Sequence, residues 1–296
     1  MKHGDDLEKE MESRKQLISD ICKKWKSEPR LPYEHIYEHE GLRHLIYNEQ
    51  TQVMYCYLPK VANTNFRRVF YGLENVVPKE KVPKLDGYEV YFILKDKLKY
   101  LKGQMQPKQN RMLREYGKFM VVREPLERLL SGYRNKFFHP NKDHQREYHT
   151  NYLEFYQNHL KLKAARNIRT NFSAGPLTFK EFLVYFVDSF QTNTYMNEHF
   201  VPAHLLCHPC EIEFDYIGKY ETINEDATFI FDKLNIDIDF PGKNDNYSSV
   251  STATVAEEYY RPVPGTVLKG VMHILERDYT LFGYKIPEWF KLKVAD

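Results

Sequence analysis

Two junctions in this 296-residue sequence place a cation at the start of a predicted helix. In "YCYLPKVANTNFRRVF" (55–70), Lys60 and Thr64 lie between an apolar strand and an amphipathic helix. In "KFMVVREPLERLLS" (118–131), Arg123 follows an apolar run and Ser131 lies in the next helix. Helix N-termini attract anions through their free N–H groups and the helix dipole. The two junctions therefore predict a site for two anionic groups.

The first junction differs from an ordinary P-loop. In G-x-x-x-x-G-K-[S/T] the glycines wrap the phosphates and the hydroxyl binds Mg²⁺. Here Lys60 precedes the turn, residues 59–65 contain no glycine, and no acidic residue ends the strand. This pattern favours metal-free recognition of an anion over a metal-dependent kinase or NTPase, and no metal site is predicted.

Hydrophobic patterning predicts the elements that position these junctions. "HLIYNEQTQVMYCYLP" (44–59) has two β-rich runs around a polar turn, which indicates a hairpin. Apolar residues then recur at helical spacing from Phe66 to Leu73. "KFMVV" is typical of an interior parallel strand, and Pro125 suits the first position of the next helix. At 100° per residue, Ser131 points about 140° away from Leu126, off the buried face.

Further along, "EIEFDYIGKYE" (211–221) has the alternating pattern of a strand. Asn224 is the predicted cap of the next helix. "ILERDYTLFGYKIP" (274–287) is the predicted closing helix. Strands that alternate with helices predict an α/β fold with a central, mainly parallel sheet flanked by helices. Ligands bind such sheets at the carboxyl ends of the strands, where both junctions belong.

Composition limits the classes of partner. Lys plus Arg number 43 against 41 for Asp plus Glu, and the net charge of +2 does not indicate a nucleic-acid binder. No apolar run is long enough for a membrane span, and the N-terminus is too charged for a signal peptide. We expect an N-terminal helical, stem-like extension over 1–42 and one catalytic domain over 43–296. Sequons at Asn171 and Asn246 would accept glycans in a secretory lumen.

The four cysteines are Cys22, Cys56, Cys207 and Cys210. The pair in "CHPC" could be a redox pair, half of a zinc site, a local disulfide or two ordinary thiols. A zinc site would need a second ligand pair, and the sequence has no second Cys-x-x-Cys. In an oxidising compartment we expect a Cys207–Cys210 disulfide.

The two junction segments resemble the nucleotide-binding segments of Golgi carbohydrate sulfotransferases of the HNK-1/chondroitin group, which use 3′-phosphoadenosine 5′-phosphosulfate (PAPS). "MNEHFVPAHLLCHPCEIEFDYIGKYETI" and "RDYTLFGYKIP" are also similar to that group, in the same order, so the resemblance covers about residues 45–290. It is strongest to members that sulfate O4 of N-acetylgalactosamine in chondroitin or dermatan. The resemblance implies a P-loop-like phosphosulfate-binding fold and a Golgi-lumen location, with membrane attachment through an anchor absent from this sequence.

The resemblance also assigns cofactor-binding residues. The 5′-phosphosulfate loop comprises Pro59, Lys60, Val61, Ala62, Asn63, Thr64 and Asn65. The 3′-phosphate segment, with Arg123 and Ser131 as its principal contacts, comprises Arg123, Glu124, Pro125, Leu126, Glu127, Arg128, Leu129, Leu130 and Ser131. Relatives commonly have Cys in place of Asn63, and Trp in place of Phe66 and Phe200.

Sulfuryl transfer requires a cation near the leaving phosphate oxygen and a base for the acceptor hydroxyl. We assign the first role to Lys60. His199 is the candidate base among 12 histidines because it lies in the acceptor-side segment, and Glu198 is the alternative. A glycosaminoglycan or N-glycan acceptor needs cations, for which the predicted residues are Lys161, Lys163, Arg166 and Arg169.

Three alternatives to sulfation of N-acetylgalactosamine O4 in chondroitin or dermatan remain open. The first is an HNK-1-type glucuronic acid 3-O-sulfotransferase, and the second sulfates O4 of terminal N-acetylgalactosamine. The third belongs to another class: an inactive module that binds the nucleotide or a glycan. Joint retention of Lys60, Thr64, Arg123 and Ser131 argues for an active enzyme. The oligomeric state is left open by the sequence.

Overall fold

The computed structural model describes residues 4–29, 31, 33–137, 177–194, 196–242 and 251–295. Five strands form one sheet in the order β3–β1–β2–β4–β5. They are β1 (Leu45–Asn48), β2 (Val53–Cys56), β3 (Lys99–Tyr100), β4 (Gly117–Val122) and β5 (Tyr216–Lys219).

The sheet is mixed. Strands β1 and β2 form the predicted hairpin, with Leu45 opposite Cys56, and β3 also pairs antiparallel with β1. Strands β2, β4 and β5 are parallel neighbours. The predicted α/β fold is confirmed, and the sheet is mixed rather than mainly parallel because the hairpin and the short β3 add antiparallel neighbours on one side.

Helices alternate with the strands along the chain, as expected of an α/β protein. Those of the described residues are α1 (Gly4–Trp25), α2 (Glu40–Arg43), α3 (Asn63–Leu73), α4 (Gln106–Glu115), α5 (Pro125–Lys136), α6 (Phe179–Gln191), α7 (Ala203–Cys207), α8 (Ile223–Lys233), α9 (Thr252–Tyr260), α10 (Gly265–Leu281) and α11 (Glu288–Ala295). Asn224 was wrongly predicted as a cap: it lies inside α8, whose N-cap is Thr222. None of the helices in these ranges is both long and apolar enough to cross a membrane.

The chain divides into two compact units. Unit 1 comprises Met1–Glu124, Val201–Ser249 and Arg277–Tyr284, and it contains the whole sheet. Unit 2 comprises Pro125–Phe200, Val250–Glu276 and Lys285–Asp296.

The core of unit 1 is aromatic at the point where β2 leads into α3. The ring of Tyr55 lies 4.6 Å from that of Phe66 and 4.9 Å from that of Phe119, measured between centroids. All three side chains are fully buried. Burial of an aromatic side chain contributes about 1.5–3 kcal/mol, so this cluster holds the start of α3 against β2 and β4.

Helix α1 belongs to unit 1 and packs against β5. Its buried Arg14 donates to the Asp226 carboxylate at 2.6 Å and to the Ile217 carbonyl at 2.9 Å. An unpaired buried charge would be costly, so Arg14 and Asp226 must be buried together. This pair ties α1 to the region around β5 and α8. The division of the chain into an extension over 1–42 and a catalytic domain over 43–296 stays a prediction.

The predicted Cys207–Cys210 disulfide is wrong. Cys22 is bonded to Cys210 and Cys56 to Cys207, across 188 and 151 residues of sequence. Cys207 ends α7 fully buried, beside the end of β2, whereas Cys210 lies beyond the left-handed residue His208 and is exposed. The two thiols of "CHPC" therefore face different neighbours. One bond joins α7 to the sheet, and the other joins the chain just after α7 to α1.

Candidate functional site

The turn between β2 and α3 contains two left-handed residues, and neither of them is glycine. Lys60 has φ of 72° and Ala62 has φ of 58°, both in the left-handed region. That region costs a residue with a side chain about 1–2 kcal/mol. The first α3 backbone bonds, from Asn65 and Phe66, both end on the Ala62 carbonyl. The N–H groups of Asn63 and Thr64 precede them and can be offered to an anion.

The parallel pairing of β2 and β4 brings the Arg123 side chain to the backbone of Lys60. Cys56 is level with Met120, so both strands end at the same edge of the sheet. Nη1 of Arg123 donates to the Lys60 carbonyl at 3.3 Å. The Arg123 guanidinium also lies 4.3 Å from the centroid of the Tyr220 ring, and its side chain is buried. Tyr220, which sequence reasoning did not find, therefore helps to orient Arg123.

A tyrosine beyond α3 holds the polar residues at its start. The Tyr91 hydroxyl lies 3.1 Å from the Thr64 hydroxyl, and the Asn63 amide donates to it at 3.5 Å. Asn63 is buried, and its Oδ1 has no hydrogen-bond partner. A buried acceptor without a partner is unfavourable, so this atom is open to a donor from a ligand. Tyr91 belongs to a π-helical turn over Glu89–Ile93 that the sequence analysis did not predict.

The side chain of Asn65 is hydrogen-bonded to other residues of the protein. Its side-chain amide donates to the Gly242 carbonyl, and its Oδ1 accepts from Nη1 of Arg68 at 2.6 Å. Arg68 is buried, and its burial lowers the pKa of the guanidinium. Both polar ends of the Asn65 side chain are thereby engaged. Asn65 shapes the turn, and its side chain is a poor choice for direct anion contact.

Glu124 also has structural partners. Its carboxylate accepts a hydrogen bond from the Tyr279 hydroxyl, and its backbone N–H donates to the Glu221 carboxylate at 2.9 Å. A carboxylate offers only acceptors and would repel a phosphate. Glu124 thus fits a role in holding the end of β4 better than the predicted direct contact with the cofactor.

In unit 2, α5 begins at Pro125 as predicted and buries Leu126, Leu129 and Leu130. Ser131 is half-buried, in agreement with its expected position off the apolar face. Gly132 lies against the segment that carries His199: a Cβ there would stand 2.9 Å from the Phe200 ring and 3.0 Å from the His199 carbonyl oxygen. Only glycine allows this close approach.

Asn197 fixes the ring of His199. Its Oδ1 lies 3.1 Å from the backbone N and 2.7 Å from the ring Nδ1 of His199. Because the backbone N–H can only donate, the shared atom is an acceptor, and Nδ1 must carry the hydrogen of the neutral ring. The lone pair of neutral His199 is therefore on Nε2. That nitrogen has the form a proton acceptor needs.

Two buried cations lie near Glu198, the alternative base. Nη2 of Arg128 donates to the Glu198 carbonyl at 3.4 Å. Burial lowers the pKa of Lys136 to about 8, and the nearby Glu198 charge acts in the opposite direction. The contact between Nδ1 of His199 and Asn197 leaves Nε2 as a proton acceptor, and this geometry favours His199 over Glu198.

Several predicted residues lie outside the described ranges: Lys161, Lys163, Arg166, Arg169, Asn171 and Asn246. In the described ranges, no group of three or more His, Cys, Asp or Glu side chains could hold a metal ion. In unit 1, the residues that could hold the anionic groups of a nucleotide are Lys60, Asn63, Thr64 and Arg123. The turn with its cations and open helix amides fits such a group.

Comparison with known proteins identifies the family. Residues 43–285 match the model of a family described as "Sulfotransferase family". Carbohydrate sulfotransferase 14 from Danio rerio is 35% identical over 256 residues, which cover 83% of this chain and 63% of the relative. Carbohydrate sulfotransferase 12 from Mus musculus is 30% identical over 305 residues, or 96% of this chain and 70% of the relative.

Carbohydrate sulfotransferase 11 from Mus musculus is 29% identical over 283 residues, which cover 94% of this chain and 77% of the relative. The chain thus spans somewhat less than two thirds of the Danio rerio relative and more of the other two. No solved structure matches it significantly. The matched region contains both predicted junctions and the His199 segment, and the chain belongs to the Sulfotransferase family.

Proposed function

We propose that this protein transfers the sulfuryl group of PAPS to a hydroxyl of a glycan. The observation that carries the proposal is the hydrogen bond from Arg123 to the Lys60 carbonyl at adjacent strand ends, beside a helix start whose first N–H groups can be offered to an anion. The names of the relatives, all carbohydrate sulfotransferases, support a sugar acceptor. Within that class we propose O4 of N-acetylgalactosamine in chondroitin or dermatan.

The proposed roles follow from the chemistry of the transfer. His199 takes the proton of the acceptor hydroxyl on Nε2 while the hydroxyl oxygen bonds to sulfur. Lys60 balances the negative charge that remains on the phosphate oxygen when its bond to sulfur breaks. Thr64 and the first N–H groups of α3 hold the 5′-phosphosulfate end. Arg123 and Ser131 hold the 3′-phosphate.

The proposed location is the Golgi lumen. Two disulfides, one of them between fully buried sulfurs, support an oxidising compartment. N-glycan acceptors, glucuronic acid O3 and terminal N-acetylgalactosamine O4 are the alternative acceptors to test.

The test is an assay of the purified protein with sulfate-labelled PAPS against chondroitin, dermatan, desulfated heparin and N-glycans. We expect label in chondroitin or dermatan, and disaccharide analysis should place it on O4 of N-acetylgalactosamine. Lys60→Ala is the matched control and should transfer little label. Binding of 3′-phosphoadenosine 5′-phosphate is measured separately. Nucleotide binding without transfer to any acceptor would identify an inactive binding module and disprove the proposed activity.

A further inference from the structure

A cleft in unit 1 lies beside the β1–β3 edge of the sheet. Its volume is about 420 Å³, and its lining residues are Arg43, Tyr57, Tyr100, Lys102 and Gly103. This volume is in the range of small-ligand sites, about 300–1,000 Å³. Among these lining residues, two are cationic, two are tyrosines and none is acidic. Arg43 lies 3.4 Å from Glu40, but its side chain remains half exposed.

Arg67 places a third positive charge beneath this cleft. Its Nη1 donates to the Tyr100 hydroxyl at 3.0 Å, and its guanidinium lies 4.6 Å from the centroid of the Tyr57 ring. Only 8% of Arg67 is exposed, and its Nε has no hydrogen-bond partner. In the described part of the chain no carboxylate pairs with it. Because buried charges are normally paired, this cation calls for an anion from outside the chain.

The cleft is close to the predicted phosphosulfate loop. Arg67 and Thr64 are three residues apart on α3, so their side chains lie on one face, a turn apart. The Arg67 guanidinium is 5.4 Å from the centroid of Tyr91, whose hydroxyl contacts Thr64. Arg67 therefore contacts Tyr57 and Tyr100 of the cleft and also Tyr91, the residue that contacts Thr64.

We propose that this cleft binds the carboxylate of an acidic sugar next to the acceptor residue, through Arg43 and Lys102 above the buried charge of Arg67. The proposal rests on the proposed function and names the substrate feature that the site selects. Guanidinium and ammonium groups form strong charge-assisted hydrogen bonds with carboxylates. Before transfer the acceptor lacks the new sulfate, so the negative group that it can offer to the cleft is the carboxylate of a uronic acid. The tyrosine hydroxyls suit the sugar hydroxyls.

The experiment measures direct binding, without turnover, of two probes: an unsulfated chondroitin oligosaccharide, and the same oligosaccharide with its carboxylates reduced to alcohols. We expect the native probe to bind about tenfold more tightly than the reduced probe. Arg43→Gln combined with Lys102→Gln should abolish that difference and leave the affinity for the reduced probe unchanged. Lys233→Gln, on α8 near the β5 end of the sheet, is the matched control and should change neither.

Two results would overturn the proposal: equal affinity of the wild-type protein for both probes, or an equal loss for both in the double variant. Because binding needs no chemistry, failure of the proposed function is recognised separately. In that case no label is transferred, yet the preference for the carboxylate and its dependence on Arg43 and Lys102 persist. If transfer occurs, the double variant should raise KM for native chondroitin about tenfold and leave kcat and the KM for PAPS unchanged.

Discussion

Asn197 accepts two hydrogen bonds from His199, one from its backbone N–H and one from its ring Nδ1 at 2.7 Å. This arrangement sets the tautomer of the ring, as a carboxylate or carbonyl does for many histidine bases. Asn197 touches neither reacting group in our proposal. It is a positioning residue that acts through His199.

Replacement of Asn197 by Asp should therefore move the pH dependence of transfer. A carboxylate next to Nδ1 favours the charged imidazolium, which cannot accept a proton. We expect the acidic limb of kcat/KM to move to higher pH by about one unit, with activity recovered above it. Asn197→Ala should lower kcat without that displacement. An unmoved acidic limb in Asn197→Asp would mean that His199 is not the base.

Two substitutions of Lys60 separate the effect of its charge on transfer from the effect of its backbone conformation on stability. At φ of 72° a glycine relieves strain, whereas an alanine keeps it. Both Lys60→Gly and Lys60→Ala should lose at least about 100-fold in kcat, because both remove the charge near the leaving oxygen. Lys60→Gly should unfold at the wild-type temperature or above it. Activity within a few-fold of wild type in either variant would exclude Lys60 from the transfer step.

The parts of this site that the sequence predicts are those set by near neighbours in the chain. The hairpin over 44–59, the start of α3 and the strand before Arg123 can each be predicted from the order of apolar and polar residues within a short stretch of sequence. The adjacency of Lys60 and Arg123 required one further rule, that parallel strands end at a common edge.

The parts that the sequence does not predict join distant segments. Tyr91 contacts Thr64 from 27 residues away, and Arg67 meets Tyr100 from 33 residues away. Neither spacing has a periodic signal. The left-handed turn could not be predicted either. Lys60 and Ala62 take positive φ angles that usually require glycine, and the sequence has no glycine there to indicate them. The cysteine pairing failed for a related reason: nearness in sequence favoured Cys207–Cys210, whereas burial decided the partners.

The disulfide pairing can be checked by peptide mapping under non-reducing conditions. We expect one cross-linked peptide that joins Cys22 to Cys210 and another that joins Cys56 to Cys207. A peptide with an internal Cys207–Cys210 bond would contradict the structure.

Removal of the buried bond tests its contribution to stability. Cys56→Ala with Cys207→Ala should lower the free energy of unfolding by about 2–5 kcal/mol, because the bond closes a long loop and lies in the core. Denaturant unfolding measures the loss. The double variant Cys22→Ala with Cys210→Ala is the comparison, and it should increase hydrogen exchange in α1. An unchanged free energy of unfolding in the first variant would show that the bond does not restrain the unfolded chain.

Lys136 should give unfolding a measurable pH dependence. Burial lowers its pKa to about 8 in the folded protein, against about 10.4 for an unfolded chain. Between these values the unfolded chain binds more protons, so the free energy of unfolding should rise with pH from about 8 to 10, by up to about 3 kcal/mol. Lys136→Met keeps the stem and removes the charge. It should be more stable than wild type at pH 7 and lack that rise.

Urea unfolding of both proteins at pH 7, 8, 9 and 10 measures the effect, with Lys180→Met on the exposed side of α6 as the control. The control should keep the wild-type slope, because the Lys180 side chain is exposed in the folded protein and removing it leaves Lys136 unchanged. Equal slopes in wild type and Lys136→Met would mean that Lys136 remains hydrated. If Lys136→Met gains stability and loses transfer activity, the destabilising charge near Glu198 has a role in binding or catalysis. Such a gain in stability with loss of activity is expected where a buried charge serves function.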